Sequence, residues 1–140
     1  MARRMTPEQA KKVLGIGPNQ KLAPSPDMPN SVGSSYPKDK LHFMEPWPMQ
    51  NSTDATFAIL EQIANDWPRA EVVEKKGNYM RIEFTSRLFK FIDDVEFLAD
   101  EAQKQLHFRS ASRLGHSDLG ANRKRMKTFQ EKYQKLSPHI

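Results

Sequence analysis

The chain has 140 residues, with 22 Lys plus Arg, 17 Asp plus Glu, 4 His and no Cys, and a formal net charge of +5. That length suits one domain of ordinary size, roughly 100–150 residues, and the lack of cysteine excludes disulfides, thiol nucleophiles, zinc–thiolate sites and iron–sulfur clusters. No apolar run approaches the roughly 20 residues needed to cross a bilayer, and Met1 to Glu8 has no apolar centre of the secretory kind, so a soluble cytoplasmic protein is expected.

Thr6-Pro7-Glu8-Gln9 reads as a helix start, with Thr6 as cap, Pro7 in the first turn and Gln9 closing a capping box. Val13 and Leu14 follow, and Gly15 stops the helix. Residues 16–40 are rich in Pro, Ser, Asn and Gly. Their prolines fix φ and remove backbone donors, so this stretch is no central strand. It reads as a surface-wrapping arm or loop, or as a linker. Leu41 to Met44 reads as a short strand ended by Pro46 and Pro48, with Trp47 plugging the edge of the core.

Ser52 to Asp66 is an amphipathic helix capped by Asn51 or Ser52, with Asp54 at its positive end. Phe57, Leu60, Ala64 and Trp67 recur at helical spacing, and Pro68 ends it. The period then falls to two. Val72 and Val73 sit in a strand, Lys76-Gly77-Asn78 turns, and Tyr79 to Thr85 alternates, with Met80, Ile82 and Phe84 on one face. Phe89 to Leu98 and Leu106 to Ala111 are the next strands, joined by a turn over 99–104. A last helix, capped by Ser117 or Asp118, runs to about Leu136 with Leu119, Asn122, Met126, Phe129 and Tyr133 on one stripe. The expected fold is α+β: an antiparallel sheet of about four strands, two amphipathic helices packed on one face, and a Pro-rich N-terminal arm. Residues 1–40 would be the N-terminal helix and arm, and 41–140 a single domain.

Charge is unevenly placed. Residues 1–50 balance at +3, residues 51–102 at −5 and residues 103–140 at +7. An acidic middle and a basic tail complement each other within one fold, or leave a basic surface for an acidic partner. Arg123, Lys124, Arg125, Lys127, Lys132 and Lys135 splay around a helix. With no recognised binding motif, nucleic acid is not the expected partner.

Two segments look wrong for plain scaffolding. Asp93 and Asp94 are adjacent inside a strand, where Asp is disfavoured, and in a regular strand they point to opposite faces. Asp94 and Glu96 share a face, suited to holding a cation, to acting as a general base, or to pairing with Arg81, Arg87 or Arg109 on neighbouring strands. The other segment, from Arg109 through Ser110, Ser112, Arg113, His116, Ser117 and Asp118 to Asn122 and Arg123, leads into the last helix. Helix starts present unpaired N–H groups, and Arg113 and Arg123 offer planar forks for a carboxylate or phosphate. Asp118 can fill the cap itself, and the arginines can pair internally with Asp93, Asp94 and Glu96. His42, His107 and His139 are too scattered to suggest a metal site, and no cofactor is expected.

The runs Phe91-Ile92-Asp93-Asp94-Val95-Glu96-Phe97 and Arg109-Ser110-Ala111-Ser112-Arg113, followed by Ser117-Asp118-Leu119-Gly120 and Asn122-Arg123, resemble the domain-of-unknown-function family numbered fourteen-ninety-nine. The resemblance spans roughly residues 23–136 and implies no established activity. Family members often carry cysteines in a segment resembling Cys-Pro-x-Ser-Pro-Asn-Cys-Val-Ser-Ser, commonly behind an export or membrane signal. Here Ala23 and Ser31 stand in the matching stretch, so no thiol role carries over.

Together these readings point to a small module binding an anionic or polar small molecule or a protein through Asp93, Asp94, Glu96, Arg109, Ser110, Ser112, Arg113, Ser117, Asp118, Asn122 and Arg123. The alternatives are a hydrolase using Asp94 or Glu96 with His116, and a purely structural ion network.

Overall fold

The computed structural model describes residues 14–25, 30–113 and 120–137. The expected helix from Thr6, the cap residues Ser117 and Asp118, and His116 lie outside them.

The elements run β1 (Ser31–Gly33), β2 (Trp47–Pro48), α1 (Thr53–Asn65), β3 (Ala70–Lys76), β4 (Tyr79–Thr85), β5 (Ile92–Asp100), β6 (Gln105–Ser112) and α2 (Ala121–Leu136). They form one six-stranded sheet in the order β1-β6-β5-β4-β3, with β2 also pairing β6. All the pairings are antiparallel. Six strands replace the expected four or so. The two additions, β1 and β2, are three and two residues long and lie among prolines. Segments that short carry no alternation to read. Phe43, expected in a strand, makes only an isolated bridge to Gly33.

Local chemistry explains the main elements. Ser52 is the N-cap of α1, its side chain accepting from Ala55 N–H at 3.0 Å, which satisfies one of the orphan donors of the first turn. Gly77 takes φ +59, and the two-residue Gly77-Asn78 connection that this permits sets the Lys76–Tyr79 register. The α2 start differs from expectation: its N-cap is Gly120, at φ 81 and without a side-chain cap bond. A left-handed residue there ends the helical run, so α2 begins at Ala121 rather than near Ser117.

Period-two alternation sorts the strand residues by face. Met80, Ile82, Phe84, Val95, Phe97, Leu106 and Phe108 share one buried cluster with Phe57, Leu60 and Ile63 of α1 and Met126, Phe129 and Tyr133 of α2. Trp47 is at the centre of this cluster, not its edge. Its ring centroid lies 4.9–5.8 Å from those of Phe97, Phe108, Phe129 and Tyr133. On the other face, Leu22 packs with Tyr79 and Leu98, so the segment around residues 14–25 covers part of the polar side of the sheet.

Candidate functional site

Because Asp93 and Asp94 point oppositely, the charged residues fall into two networks separated by the sheet. On the helix side, Asp93 accepts from Arg125 Nη2 at 2.7 Å. Arg125 Nη1 donates to Asn122 Oδ1 at 2.8 Å and to Ser110 Oγ at 3.3 Å. The Ser110 hydroxyl donates to the same Asn122 oxygen at 2.7 Å. Asn122 Nδ2 donates in turn to Asn30 O at 2.9 Å and Ser112 Oγ at 3.0 Å. This cluster ties the start of α2 to β5, β6 and the residue before β1. The Arg125 guanidinium also lies 4.9 Å from the Phe84 ring centroid, a favourable cation–π placement. Arg123 belongs to neither network. It donates to the carbonyls of Leu41 and Phe43.

On the opposite face the Arg113 fork grips Asp94, Nε to Oδ2 at 2.7 Å and Nη2 to Oδ1 at 2.9 Å, and reaches Glu83 at 2.7 Å. Arg81 Nη1 donates to Asp94 at 3.0 Å and Glu83 at 2.9 Å, and its Nε contacts Glu74 at 3.4 Å. Cross-strand register makes these contacts possible, since Glu83 sits opposite Asp94 and Arg81 opposite Glu96. The hydrogen bonds to Asp94 push the Arg113 pKa above its ordinary range. Such bidentate, charge-assisted pairs are the strong ones.

One pair of positions further along, Glu96 is fully buried. Its Oε2 accepts from the Tyr79 hydroxyl and from Gly15 N–H, each at 2.6 Å. Arg109 Nη1 reaches Oε1 at 3.4 Å. Burial raises the Glu96 pKa, against the lowering effects of Arg109, Tyr79 and Gly15. Arg109 is itself buried, and its Nε has no hydrogen-bond partner. Among the described residues no group of three or more His, Asp or Glu is placed to hold a metal ion.

A hollow lies elsewhere, at the β5–β6 hairpin end. A cleft of about 780 Å³ opens between residues 16–21, the stretch after β1 and that hairpin. Asp100, Glu101, Glu45, Lys21, Gln105 and His107 are among its lining residues. Ser34 Oγ lies 2.9 Å from His107 Nδ1 and accepts from Phe108 N–H at 2.8 Å. Burial lowers the His107 pKa, with Asp100 opposing, so the ring favours its neutral form. No carboxylate hydrogen-bonds that ring among the described residues. The Ser34 hydroxyl is held by the β6 backbone and is buried; this is the geometry of a brace, not of an activated nucleophile.

Sequence reasoning missed Arg125, Tyr79 and the cleft. Arg125 was hidden inside a basic run, although its spacing of three from Asn122 places both on one helix face. Tyr79 alternates with Arg81 and so was legible as a member of the polar face. Ser34 and His107 lie far apart along the chain, and nothing in their local sequence links them.

The fold is thus a small antiparallel α+β module with ion networks on both faces of its sheet. The sequence model of the family described as "Protein of unknown function (DUF1499)" matches residues 21–132, and the chain belongs to that family. No curated protein and no solved structure matches it.

Proposed function

We propose that this chain is a non-enzymatic module that binds a small polar molecule, and that the cleft at the β5–β6 hairpin end receives it. The observation that carries this reading is the cleft itself. Its volume of about 780 Å³ falls within the roughly 300–1,000 Å³ of small-molecule sites. Three carboxylates against one lysine (Asp100, Glu101 and Glu45 against Lys21) line it, an arrangement that favours a cationic or hydroxyl-rich ligand. On this reading Asp93, Asp94, Glu96, Arg113 and Asn122 hold the scaffold, and Arg123 pins α2 to the 41–43 stretch. A cytoplasmic setting belongs to the same reading, and a chain without cysteine has no need of an oxidising compartment.

A second reading keeps the anion expected from the arginine-rich motif. What favours it is the buried Arg109 Nε without a partner, because such a group is costly to leave unsatisfied. Thermal melts with a polyamine, an amino sugar, a neutral disaccharide and inorganic phosphate separate the two. The cleft reading expects a cationic or hydroxyl-rich probe to raise the melting temperature, and Asp100→Asn with Gln105→Ala to abolish the rise. If phosphate alone stabilises, and Arg109→Lys or Arg113→Ala removes its effect, the anion reading replaces it. If no probe moves the melt, both fail.

A further inference from the structure

We propose that the loop joining β4 to β5 is a peripheral membrane anchor, which inserts into the surface of a bilayer bearing anionic headgroups. Its sequence is Ser86-Arg87-Leu88-Phe89-Lys90-Phe91. Leu88 is 79% exposed, Phe89 72% and Phe91 41%, and the rings of Phe89 and Phe91 stack with centroids 5.5 Å apart. The other large exposed apolar residues, Ile16, Leu41, Val73 and Leu136, come from separate parts of the chain. Among the described residues, only in this loop do three fall within four positions.

The loop is built to keep its shape. Ser86 N–H donates to Phe91 O at 2.8 Å, and Phe91 N–H donates to Ser86 Oγ at 2.9 Å. The base is thus closed by its own hydrogen bonds, and these backbone groups would need no water on entering an apolar layer. Lys90 takes φ 56, which turns the chain sharply between the two phenylalanines. The result is a convex apolar tip.

Cations surround that tip. Arg87 and Lys90 belong to the loop and are exposed. Arg69, also exposed, is fixed beside the loop because its carbonyl accepts Thr85 N–H at 3.0 Å. Asp66 and Glu71 flank Arg69 in sequence, but the tip itself holds no carboxylate. Long basic side chains at the base of an apolar tip can reach phosphate oxygens while the rings sit deeper. Size favours lipid over a protein partner. Three such side chains offer roughly 300–400 Å², well short of the about 800 Å² per partner in a stable protein interface. A fluid bilayer needs no flat complementary surface. Attachment through such a tip is interfacial and reversible; no described helix is long and apolar enough to cross a membrane.

Vesicle flotation of the full chain tests this. Phosphatidylcholine vesicles containing about 30% phosphatidylglycerol should carry the protein up, and pure phosphatidylcholine should not. Leu88→Ser with Phe89→Ser should lower partitioning at least tenfold. Arg87→Glu with Lys90→Glu should lower it further, since each basic residue near the surface contributes roughly a fivefold gain. A melting scan checks that the serine variant folds. Phe89→Trp gives an independent readout, with an emission blue shift when anionic vesicles are added. Failure of the wild type to float overturns the proposal. So does flotation that a folded serine variant retains, or a Phe89→Trp spectrum that vesicles leave unchanged. Concentration-dependent self-association abolished by the serine variant, without lipid binding, would overturn it in favour of a protein contact.

Discussion

Asp94 and Glu96 stand two residues apart on one face of β5, both buried (2% and 0% exposed), and they are held in opposite ways. Asp94 is gripped by the forks of Arg113 and Arg81, with three contacts between 2.7 and 3.0 Å. Glu96 meets one arginine at 3.4 Å and otherwise two neutral donors, the Tyr79 hydroxyl and Gly15 N–H. The row containing Asp94 is open to arginines from β4 and from just past the end of β6. The row containing Glu96 lies beneath the segment around Gly15. Equal burial therefore gives unequal electrostatics: a carboxylate compensated by nearby charge, and one whose ionised form burial disfavours.

The same isosteric change at the two positions should break that symmetry most clearly. Asp94→Asn leaves two arginines facing an amide, and urea unfolding at neutral pH should show a loss of about 3 kcal/mol. Glu96→Gln keeps the acceptor for Tyr79 and Gly15 but strands the buried guanidinium of Arg109. It should lose about 2 kcal/mol, less than Asp94→Asn, because one guanidinium is stranded rather than two. Equal losses at both positions would erase the distinction. Next in size is Arg109→Met, which removes a buried guanidinium that has an orphan Nε. Alone it leaves the Glu96 carboxylate without a cation and should lose about 2 kcal/mol. Combined with Glu96→Gln, most of that loss should disappear, and a double-mutant cycle measures the coupling.

Part of this contrast was legible beforehand. Period-two alternation from Tyr79 to Thr85 placed Met80, Ile82 and Phe84 inward and Arg81 outward, because a one-residue slip would expose every apolar side chain. The same rule sent Asp93 and Asp94 apart. What it could not supply was who meets them. Asp93 is met by Arg125 from a helix more than thirty positions on, and Glu96 by Gly15 from 81 positions away. The single convergent cluster expected at the mouth of α2 is two clusters, one on each side of the sheet. The strands β1 and β2 were illegible for a related reason. Their pairing is dictated by the exposed edge of β6, not by any pattern in their own few residues. The cleft was illegible too, since it is bounded by three segments distant in sequence.

The smallest effects sharpen the comparison further. Tyr79→Phe removes the 2.6 Å hydroxyl donor to Glu96 and should lose about 1 kcal/mol in urea unfolding. It should also raise the Glu96 pKa further, because that hydrogen bond opposes the rise. The consequence is visible in the pH dependence of stability. A carboxyl whose pKa is higher folded than unfolded binds its proton more tightly in the native state. Its stabilising contribution is present below the ordinary glutamate range and declines as pH climbs through the folded value, by at most about 1.4 kcal/mol per pH unit. His107 has the opposite sign. Burial lowers its pKa, so its contribution is present above the ordinary imidazole value and is lost as pH falls from there through the lowered one. The two slopes oppose each other in weakly acidic solution. His107→Asn should therefore uncover the decline due to Glu96, and Glu96→Gln the rise due to His107. In Tyr79→Phe with His107→Asn the decline should extend to higher pH than in His107→Asn alone. If Glu96→Gln leaves the wild-type profile unchanged, Glu96 is not the buried titrating group, and the contrast with Asp94 loses its electrostatic basis.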